Sequence, residues 1–222
     1  MINYTLTHFV NPGIIPWNWS ETRRTRYSSN EIKSGIATTP EQKQWGKDHE
    51  LPPRAFFSYS YGFAVLRAEH ICFFADQWVG IHNLKYFLLA TMYGSIYLIY
   101  VFITSYIAYH EDPTFSFKKL WLYLLAFCTT GLFASYHIQQ LVLGVKRIVE
   151  NYTYVESRFG FPNVYNRGVI KNFEEIFGPV FLLPLWFLPI PLKGTKNGYD
   201  YPQPPAEILE NNDDVSLQNK VI

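Results

Sequence analysis

The sequence predicts an all-α membrane protein: a transmembrane helical hairpin that follows a cytosolic irregular module, with disordered tails. Two apolar blocks indicate the hairpin. Residues 86–109 include no charged residue and no histidine, and residues 120–145 include no charged residue and one histidine, His137. A helix of about 20 apolar residues crosses the hydrocarbon core of a bilayer, so both blocks are long enough to span it. A surface helix of a soluble protein would show a polar face, which neither block has.

The composition agrees with a membrane protein and excludes several other classes. Of the 222 residues, 17% are charged and 18% are aromatic, and aromatic side chains are enriched at membrane interfaces. The formal net charge is only +1, so nothing indicates a nucleic-acid partner. The two cysteines, Cys72 and Cys128, cannot build a disulfide framework or a zinc finger. Residues 1–10 lack the basic start and apolar core of a signal peptide.

Basic residues predict the orientation of the hairpin. The link between the apolar blocks is short and contains Pro113, so both outer ends should face the same compartment. Basic residues flank those outer ends, among them Arg67, Lys85, Lys146 and Arg147. Because cytosolic flanks carry the excess of Lys and Arg, we expect cytosolic tails and a lumenal loop.

The chain is expected to contain seven segments. They are a cytosolic N-terminal segment at 1–43, a compact module at 44–83, transmembrane helices at 84–109 and 120–145, a lumenal loop at 110–119, a cytosolic region at 146–192 and a disordered tail at 193–222. Residues 177–192 are apolar but include four prolines. Each proline costs about 3 kcal/mol inside a helix, so we expect a broken segment at the membrane interface there. The tail is polar and acidic, which is typical of disorder.

The motifs that indicate a family surround Cys72. Residues 52–55 read Pro-Pro-Arg-Ala, residues 65–67 Val-Leu-Arg, residues 69–72 Glu-His-Ile-Cys and residues 79–80 Val-Gly, followed by Asn83 and Phe87. In order and spacing they resemble the cysteine-rich domain of the DHHC palmitoyltransferases, with Glu-His-Ile-Cys for Asp-His-His-Cys. Three more segments of the chain resemble other motifs of the family. They are Asn11-Pro12-Gly13, Asn151 with residues 153–156, and Tyr165-Asn166 with Asn172. The resemblance covers about residues 10–190 and makes 44–83 a degenerate cysteine-rich module.

The zinc positions of that family are changed in this chain. Cysteines and histidines of the family's domain bind two structural zinc ions, and the matching positions here are Gln44, Lys47, Phe57 and Ala64 for one ion and Ser58, Tyr61, Ile71 and Trp78 for the other. Structural zinc needs thiolate or imidazole ligands, so we expect no structural zinc and no other cofactor. We expect a hydrophobic cluster to hold the module instead, made of Phe56, Phe57, Tyr61, Phe63, Phe73, Phe74 and Trp78. Burying each such side chain contributes about 1.5–3 kcal/mol.

The resemblance implies a catalytic set. Cys72 would be the nucleophile, His70 its base, and Glu69 the carboxylate that orients His70, with a longer arm than the family's aspartate. A neighbouring imidazolium lowers the pKa of a thiol, which is about 8.5 in free cysteine. From the residues alone, Cys72 could equally be a packed cysteine without a chemical role.

The resemblance implies supporting residues as well. Phe74, Phe87, Ala90 and Tyr97 would line a pocket for an acyl chain, and Thr153 and Asn172 would support the active-site loop. Lipid-facing or interhelical packing is the alternative for the first four residues, and simple helix capping is the alternative for the last two.

The implied activity is protein-cysteine S-acyltransfer from acyl-CoA through Cys72 to a target cysteine. The implied partners are acyl-CoA, membrane lipid and membrane-associated protein substrates, in the endoplasmic reticulum or Golgi. The alternative is a catalytically inactive relative that acts as a membrane scaffold or accessory subunit. That alternative rests on the changed zinc positions and on the expectation that the family's first two spans are absent, so that an intact transferase or another partner would supply them.

Overall fold

The structure is a computed structural model that describes residues 1–15, 40, 44, 51–58, 61, 63–112, 114, 116–192, 194–195 and 197–202. Most of the predicted N-terminal segment lies outside these residues, as do Lys47 and residues 203–222 of the predicted tail. The chain divides into two compact units, one from residues 1–87 and 147–222 and the other from residues 88–146.

Among the residues that the structure describes, the first unit contains one short helix and five short strands before the first long helix. Helix α1 (Ile2–Phe9) precedes β1 (Ile14–Ile15), β2 (Phe56–Ser58) and β3 (Phe63–Val65), which form an antiparallel sheet in the order β1-β3-β2, while β4 (His70–Cys72) and β5 (Gln77–Val79) pair as a separate antiparallel hairpin. The strict all-α class and the irregular module are therefore wrong. Isoleucine, valine and aromatic residues fill these strands, and such side chains suit a pleated, half-buried backbone.

Two long helices contain the apolar blocks. Helix α2 spans Leu84–Glu111 and helix α3 spans Phe117–Glu150. With a rise of 1.5 Å per residue they are about 42 and 51 Å long, more than the ~30 Å hydrocarbon core of a bilayer. Both are long and apolar enough to cross a membrane, and they make the described chain mostly helical. The loop predicted at 110–119 is shorter than expected, because the helices extend into it from both sides.

Within residues 88–146 the two helices pack antiparallel. The rings of Phe102 and Phe127 have their centroids 4.0 Å apart. At a second contact between the two helices, Gly94 faces His137 so closely that a Cβ on Gly94 would lie 2.7 Å from the imidazole Cδ2. Gly94 precedes Phe102 whereas His137 follows Phe127, so the two helices run in opposite directions. A glycine opposite a bulky ring lets the backbones approach.

After α3 the chain continues in short helical pieces. They are α4 (Tyr154–Arg158), α5 (Val169–Phe177), a 3-10 turn (Val180–Leu182) and α6 (Leu183–Trp186). Proline has no N–H and clashes with the preceding turn, which explains why the proline-rich residues 177–192 form only single turns. Their placement at a membrane interface stays a prediction.

The first part of the predicted disordered tail is packed. Tyr201 is 7% exposed and its hydroxyl donates a hydrogen bond to the carboxylate of Glu175. Gly194 lies so close to α5 that a Cβ there would clash with the backbone oxygen of Glu175. The prediction of disorder from residue 193 onward is therefore wrong for residues 194–195 and 197–202.

The module has an apolar core, although not the one expected. The core joins both strand groups to α4 and consists of Ile14, Phe56, Phe63, Val65, Ala68, Trp78 and Val155. Phe57 is also fully buried. Three members of the expected hydrophobic cluster lie at the surface instead, with exposed fractions of 40% for Tyr61, 90% for Phe73 and 47% for Phe74. These three residues follow strands in turns, where a side chain has no facing strand to pack against.

The Asn-Pro-Gly motif has a clear structural role in the module. The Asn11 side-chain oxygen accepts hydrogen bonds from the amides of Gly13 and Ile14, at 2.8 and 2.7 Å, which closes a turn before β1. Gly13 has φ +113°, a conformation that favours glycine. A Cβ on Gly80 would lie 2.5 Å from the carbonyl oxygen of Pro12, so the Val-Gly motif needs glycine because the two backbones touch.

Candidate active site

Cys72 ends strand β4, two residues after His70. Successive side chains of a strand point to opposite faces, so Cys72 and His70 share one face and Ile71 occupies the other. Cys72 is only 6% exposed. Burial raises the pKa of its thiol, and hydrogen bonds from the amides of Ala75 and Phe74 oppose that rise. The strand therefore brings together the predicted nucleophile and base in a buried setting.

His70 is half-buried, and its imidazole packs against an aromatic ring. Its Nδ1 is buried and has no hydrogen-bond partner among the residues that the structure describes. Its ring packs edge-on against the ring of Phe87, with the centroids 5.0 Å apart. Burial, aided by the positive charge of Arg147, lowers the pKa of His70 to about 4. The imidazole is therefore neutral at pH 7, the form that can accept a proton.

The Glu69 carboxylate makes its hydrogen bonds with residues other than His70. One oxygen accepts a hydrogen bond from Arg67 at 2.8 Å and the other accepts the amide N–H of Tyr154 at 3.2 Å. Because Glu69 and His70 are neighbours on an extended backbone, their side chains point to opposite faces. Burial raises the pKa of Glu69 in spite of the attraction of Arg67. A role for Glu69 in orienting His70 stays a prediction.

Arg54, from the Pro-Pro-Arg motif, lies at one side of a buried ionic cluster. Its guanidinium donates to both oxygens of Glu156, at 2.6 and 2.9 Å, in a bidentate pair. It also donates to the side chain and backbone oxygens of Asn151, at 2.8 and 3.0 Å. The same guanidinium lies 4.4 Å from the ring centre of Tyr165 and 4.9 Å from that of Tyr201. Planar arginine suits this combination of bidentate pairing and stacking better than lysine would.

Glu175 is the acidic centre of the same cluster. It accepts hydrogen bonds from Arg67 at 3.0 Å, from Arg167 at 2.8 Å and from the Asn151 amide at 3.1 Å, besides the one from Tyr201. Burial alone would raise the pKa of Glu175, but the charge of Arg67 and the bond from Tyr201 outweigh it and lower that pKa. Likewise, burial alone would lower the pKa of Arg67, but neighbouring carboxylates raise it. Both groups stay charged in the interior.

The two predicted supporting residues lie at the edges of this cluster. Thr153 caps α4, with its hydroxyl accepting the amide of Glu156 at 3.1 Å while the Glu156 carboxylate accepts the amide of Thr153 at 2.7 Å. Asn172 donates to the backbone oxygen of Val149 and to Asn166, both at 2.9 Å. Both residues thus hold the segment that carries the acidic partners of Arg54 and Arg67, and a direct role in an active-site loop stays a prediction.

The residues at the family's zinc positions do not fit a zinc ion. In two cases the positions are direct cross-strand partners: Phe57 lies opposite Ala64, and Ile71 lies opposite Trp78. Such partners have Cβ atoms about 5 Å apart, close enough for two ligands of one metal. Here the four side chains carry no thiolate or imidazole, and Phe57, Ala64 and Trp78 are buried in apolar packing. Gln44 is exposed, Tyr61 is 40% exposed and Ser58 is buried.

The predicted acyl-pocket residues differ in exposure. Phe87 is buried against His70, Phe74 and Tyr97 are exposed by 47% and 65%, and Ala90 is half-buried. Phe87, Ala90 and Tyr97 lie along one side of α2 by helical spacing. Their role as a pocket lining stays a prediction.

Several residues of the site were missed from the sequence. Glu175 and Tyr201 lie far along the chain from Arg54 and Arg67, and a single sequence gives no sign of such long-range pairing. His8 and Tyr4 of α1 contact the backbone beside Cys72, as described below, but they stand in a short polar-apolar stretch with no motif. Helical spacing was the one available signal: of the adjacent Glu174 and Glu175, only Glu175 lies three residues after Asn172 and on the same buried side of α5.

Two helices long and apolar enough to cross a membrane, together with a buried cysteine and a half-buried histidine on one strand of a small β-module, indicate a membrane protein whose candidate site is a thiol. A model of the DHHC palmitoyltransferase family matches residues 38–159, more than half of the chain. The chain therefore belongs to the DHHC palmitoyltransferase family.

Known relatives agree with this assignment. The chain is 30% identical over 154 residues to "Palmitoyltransferase spe-10" of Caenorhabditis elegans, and the aligned region covers 64% of this chain and 43% of that protein. It is 27% identical over 195 residues to "Probable protein S-acyltransferase 14" of Arabidopsis thaliana, covering 79% and 64% respectively. It is 25% identical over 161 residues to "Palmitoyltransferase ZDHHC15" of Xenopus laevis, covering 68% and 47%. The chain thus spans less than two thirds of the length of these relatives.

Proposed function

We propose that this chain is a protein-cysteine S-acyltransferase that moves a fatty acyl group from acyl-CoA through Cys72 to a cysteine of another protein. The observation that carries the proposal is that Cys72 and His70 share one face of β4 inside the matched family domain. The names of the relatives, palmitoyltransferase and S-acyltransferase, support the same reaction class.

The proposed reaction has two acyl transfers. His70 takes the proton of the Cys72 thiol, and the thiolate attacks the carbonyl carbon of the acyl-CoA thioester. The bond from that carbon to the CoA sulfur breaks, and the departing CoA thiolate takes the proton from His70. A thiolate of the target protein then attacks the new thioester and releases Cys72. Neutral His70 can perform the first step, and Glu69 would orient it once the side chains rearrange from their present contacts.

The membrane setting agrees with this substrate. Burying an acyl chain in an apolar environment contributes about 0.8 kcal/mol of free energy per methylene, so the chain favours the bilayer or a pocket beside it. Phe74, Phe87, Ala90 and Tyr97 are the proposed lining of such a pocket. We place the protein in the endoplasmic reticulum or Golgi with both tails in the cytosol, where it would act on membrane-associated proteins.

Labelling with a fatty acyl probe tests the nucleophile. The purified full chain in detergent, incubated with an alkyne palmitoyl-CoA, should gain a label that hydroxylamine removes. Cys72→Ser should abolish the label, and the matched Cys128→Ser variant should keep it. His70→Gln should slow labelling by about 10²–10⁴-fold, the usual contribution of a general base. Labelling of Cys72→Ser equal to that of the parent chain would exclude Cys72 as the acyl carrier.

A second candidate function is a catalytically inactive scaffold or accessory subunit. The observation that favours it is the burial of Cys72, which raises the pKa of the thiol and so disfavours the reactive thiolate. A chain that stays unlabelled, yet copurifies stoichiometrically with an active family member and raises its activity, would replace the first proposal with this one.

We further propose that the module folds without structural zinc. Three arginines and three glutamates, namely Arg54, Arg67, Arg167, Glu69, Glu156 and Glu175, join the module to the segments after α3. The apolar cross-strand pairs occupy the metal positions. The purified chain should therefore contain substoichiometric zinc by mass spectrometry, and a chelator should leave its thermal unfolding midpoint unchanged. Stoichiometric zinc whose removal lowers the midpoint would contradict this proposal.

A further inference from the structure

The four-residue turn after Cys72 places backbone amides next to its thiol in the chain. Cys72 and Gln77 are the last paired residues of the β4–β5 hairpin, and residues 73–76 form the turn between them. Backbone hydrogen bonds from Ala75 and Phe74 to the Cys72 thiol oppose the rise that burial causes in its pKa. Asp76 has φ +44°, which closes the turn in the left-handed region that aspartate tolerates. Successive N–H groups of this kind form a cavity that favours an anion.

Helix α1 contacts the opposite side of the same turn. The hydroxyl of Tyr4 donates a hydrogen bond to the carbonyl oxygen of Phe74. The Nδ1 of His8 lies 2.6 Å from the carbonyl oxygen of Ala75, and because a carbonyl only accepts, Nδ1 must carry the proton. Both carbonyls belong to the turn that holds the sulfur.

The peptide units of the turn connect α1 to the sulfur along two paths. The carbonyl of Phe74 and the amide of Ala75 belong to one peptide unit, so Tyr4 polarises the N–H that binds the sulfur. The second path starts at His8, which donates to the carbonyl of Ala75. That carbonyl shares a peptide unit with the amide of Asp76, and the Asp76 amide donates to the carbonyl of Phe73 at 3.3 Å. That carbonyl shares a peptide unit with the amide of Phe74. Hydrogen bonds in such chains strengthen one another by roughly 10–30% each.

Helix α1 is itself anchored to the module. Asn83, which is fully buried, donates to the backbone oxygen of Thr7 at 3.0 Å, and Gln77 donates to that of His8 at 3.4 Å. The last carbonyls of a helix have no partner within the helix, so these side chains satisfy them and hold the end of α1 in place. The donors of Tyr4 and His8 are therefore held in register with the turn.

We propose that Tyr4 and His8 are positioning residues that hold the turn of residues 73–76 so that its amides stabilise the Cys72 thiolate. The same amides would stabilise the thiolate each time an acyl group leaves Cys72. The inference rests on the proposed acyltransferase function for its biological purpose, but the effect on the thiolate is a property of the folded chain alone. Hydrogen bonds to the charged form of an acid favour that form.

The test measures ionisation of Cys72 in the full chain carrying Cys128→Ser, so that one thiol remains. Selective 13Cβ labelling of cysteine reports the ionisation by NMR, and the rate of alkylation by iodoacetamide against pH gives a second measure. Tyr4→Phe and His8→Leu should each raise the pKa of Cys72 by about half a unit, which lowers the thiolate fraction about threefold at neutral pH. The two paths are separate, so the double variant should shift it by about one unit.

Two further variants separate positioning from mere folding of α1. His8→Asn keeps an amide donor near the place of Nδ1, so it should retain the parent pKa of Cys72. Thr5→Val removes a hydroxyl of α1 that donates to the backbone oxygen of Met1, away from the turn, and it should leave the titration of Cys72 unchanged. Equal titration curves for Tyr4→Phe, His8→Leu and Thr5→Val would overturn the inference.

The outcomes also distinguish this inference from the proposed function. A chain that transfers no acyl group but shows the expected pKa shifts of Cys72 would contradict the proposed function and support the positioning role of Tyr4 and His8. A chain that labels at Cys72 but shows no shift in the variants would keep the function and remove the role of Tyr4 and His8.

Discussion

At the scale of single residues, Glu175 is the group on which most of the buried charge depends. It accepts hydrogen bonds from two arginines, an asparagine and a tyrosine. Removing one partner of a buried ion pair leaves the other charge without compensation, which typically costs about 3–5 kcal/mol. Glu175 is also nearly isosteric with glutamine, so its charge can be removed without a large change in shape.

Glu175→Gln should therefore lower the free energy of unfolding by about 3 kcal/mol, since Arg67 would remain buried with one of its two carboxylate partners removed. Thermal unfolding in one detergent measures this. The matched control is Lys119→Met, which breaks the exposed pair with Asp112 and should leave the midpoint unchanged. Equal midpoints for the two variants would show that the buried cluster does not stabilise the fold.

His70 predicts a pH dependence of stability. Its pKa is lowered from 6.5 to about 4 in the folded chain. The contribution of the neutral imidazole to the free energy of unfolding is therefore fully present above pH 6.5 and is lost as the pH falls toward 4. Between pH 6.5 and pH 5 the unfolded chain binds a proton there that the folded chain does not, which should cost about 2 kcal/mol. Unfolding midpoints across this range should fall more steeply for the parent chain than for His70→Gln. Parallel profiles would show that the imidazole titrates normally.

The sequence predicted part of the site at this scale. Cys72 and His70 could be paired because they stand two residues apart, and the motif frame indicated Arg54, Arg67, Asn151 and Glu156 as significant. The contacts among those residues could not be predicted, because each arginine pairs with a residue far along the chain. The direction of the Glu69 side chain was also missed, since it depends on the strand that the sequence did not reveal.

At the scale of elements, the long helices were predictable and the strands were not. An uncharged block of more than twenty residues gives one clear signal, whereas strands of two or three residues are too short to show an alternating pattern. The helix ends were less certain, and both helices extend beyond the predicted spans. Helix α1 and the docked part of the tail were missed because their stability comes from tertiary contacts and not from local pattern.

The antiparallel pairing of α2 and α3 predicts different tolerance at two glycines. A Cβ at Gly94 would lie 2.7 Å from the rigid His137 ring, whereas one at Gly131 would lie 3.4 Å from Phe102. Gly94→Ala should therefore lower the thermal unfolding midpoint. Gly131→Ala should leave it equal or raise it, because alanine favours a helix by about 1 kcal/mol over glycine. A similar loss in both variants would contradict the close packing at Gly94.

At the scale of the whole molecule, the family assignment and the predominance of helix were predicted and are confirmed. The orientation in the membrane stays a prediction with a direct test. In microsomes, the sequons at Asn3, Asn18 and Asn151 should carry no glycan, because the proposed topology places them in the cytosol. A glycan on any of them would reverse the topology.

Cysteine labelling gives the complementary measurement. Thr114→Cys, in a chain without the native cysteines, should react with a membrane-impermeant maleimide only after the microsomes are permeabilised, because the link between α2 and α3 is expected to face the lumen. Ser157→Cys, exposed in α4, is the matched control and should react in sealed microsomes. Reaction of both sites before permeabilisation would place the link in the cytosol.

The ionic cluster draws its members from four separate stretches of the chain, the last of them containing Tyr201. During synthesis, the strands and Arg54 and Arg67 leave the ribosome long before Glu156, Glu175 and Tyr201 exist. Until residues 156–201 have been synthesised, Arg54 lacks Glu156 and Arg67 can pair only with Glu69, so the module cannot complete this cluster from its own residues. A nascent chain interrupted after α3 would present the unpaired Arg54 guanidinium and an open apolar sheet to the quality-control machinery.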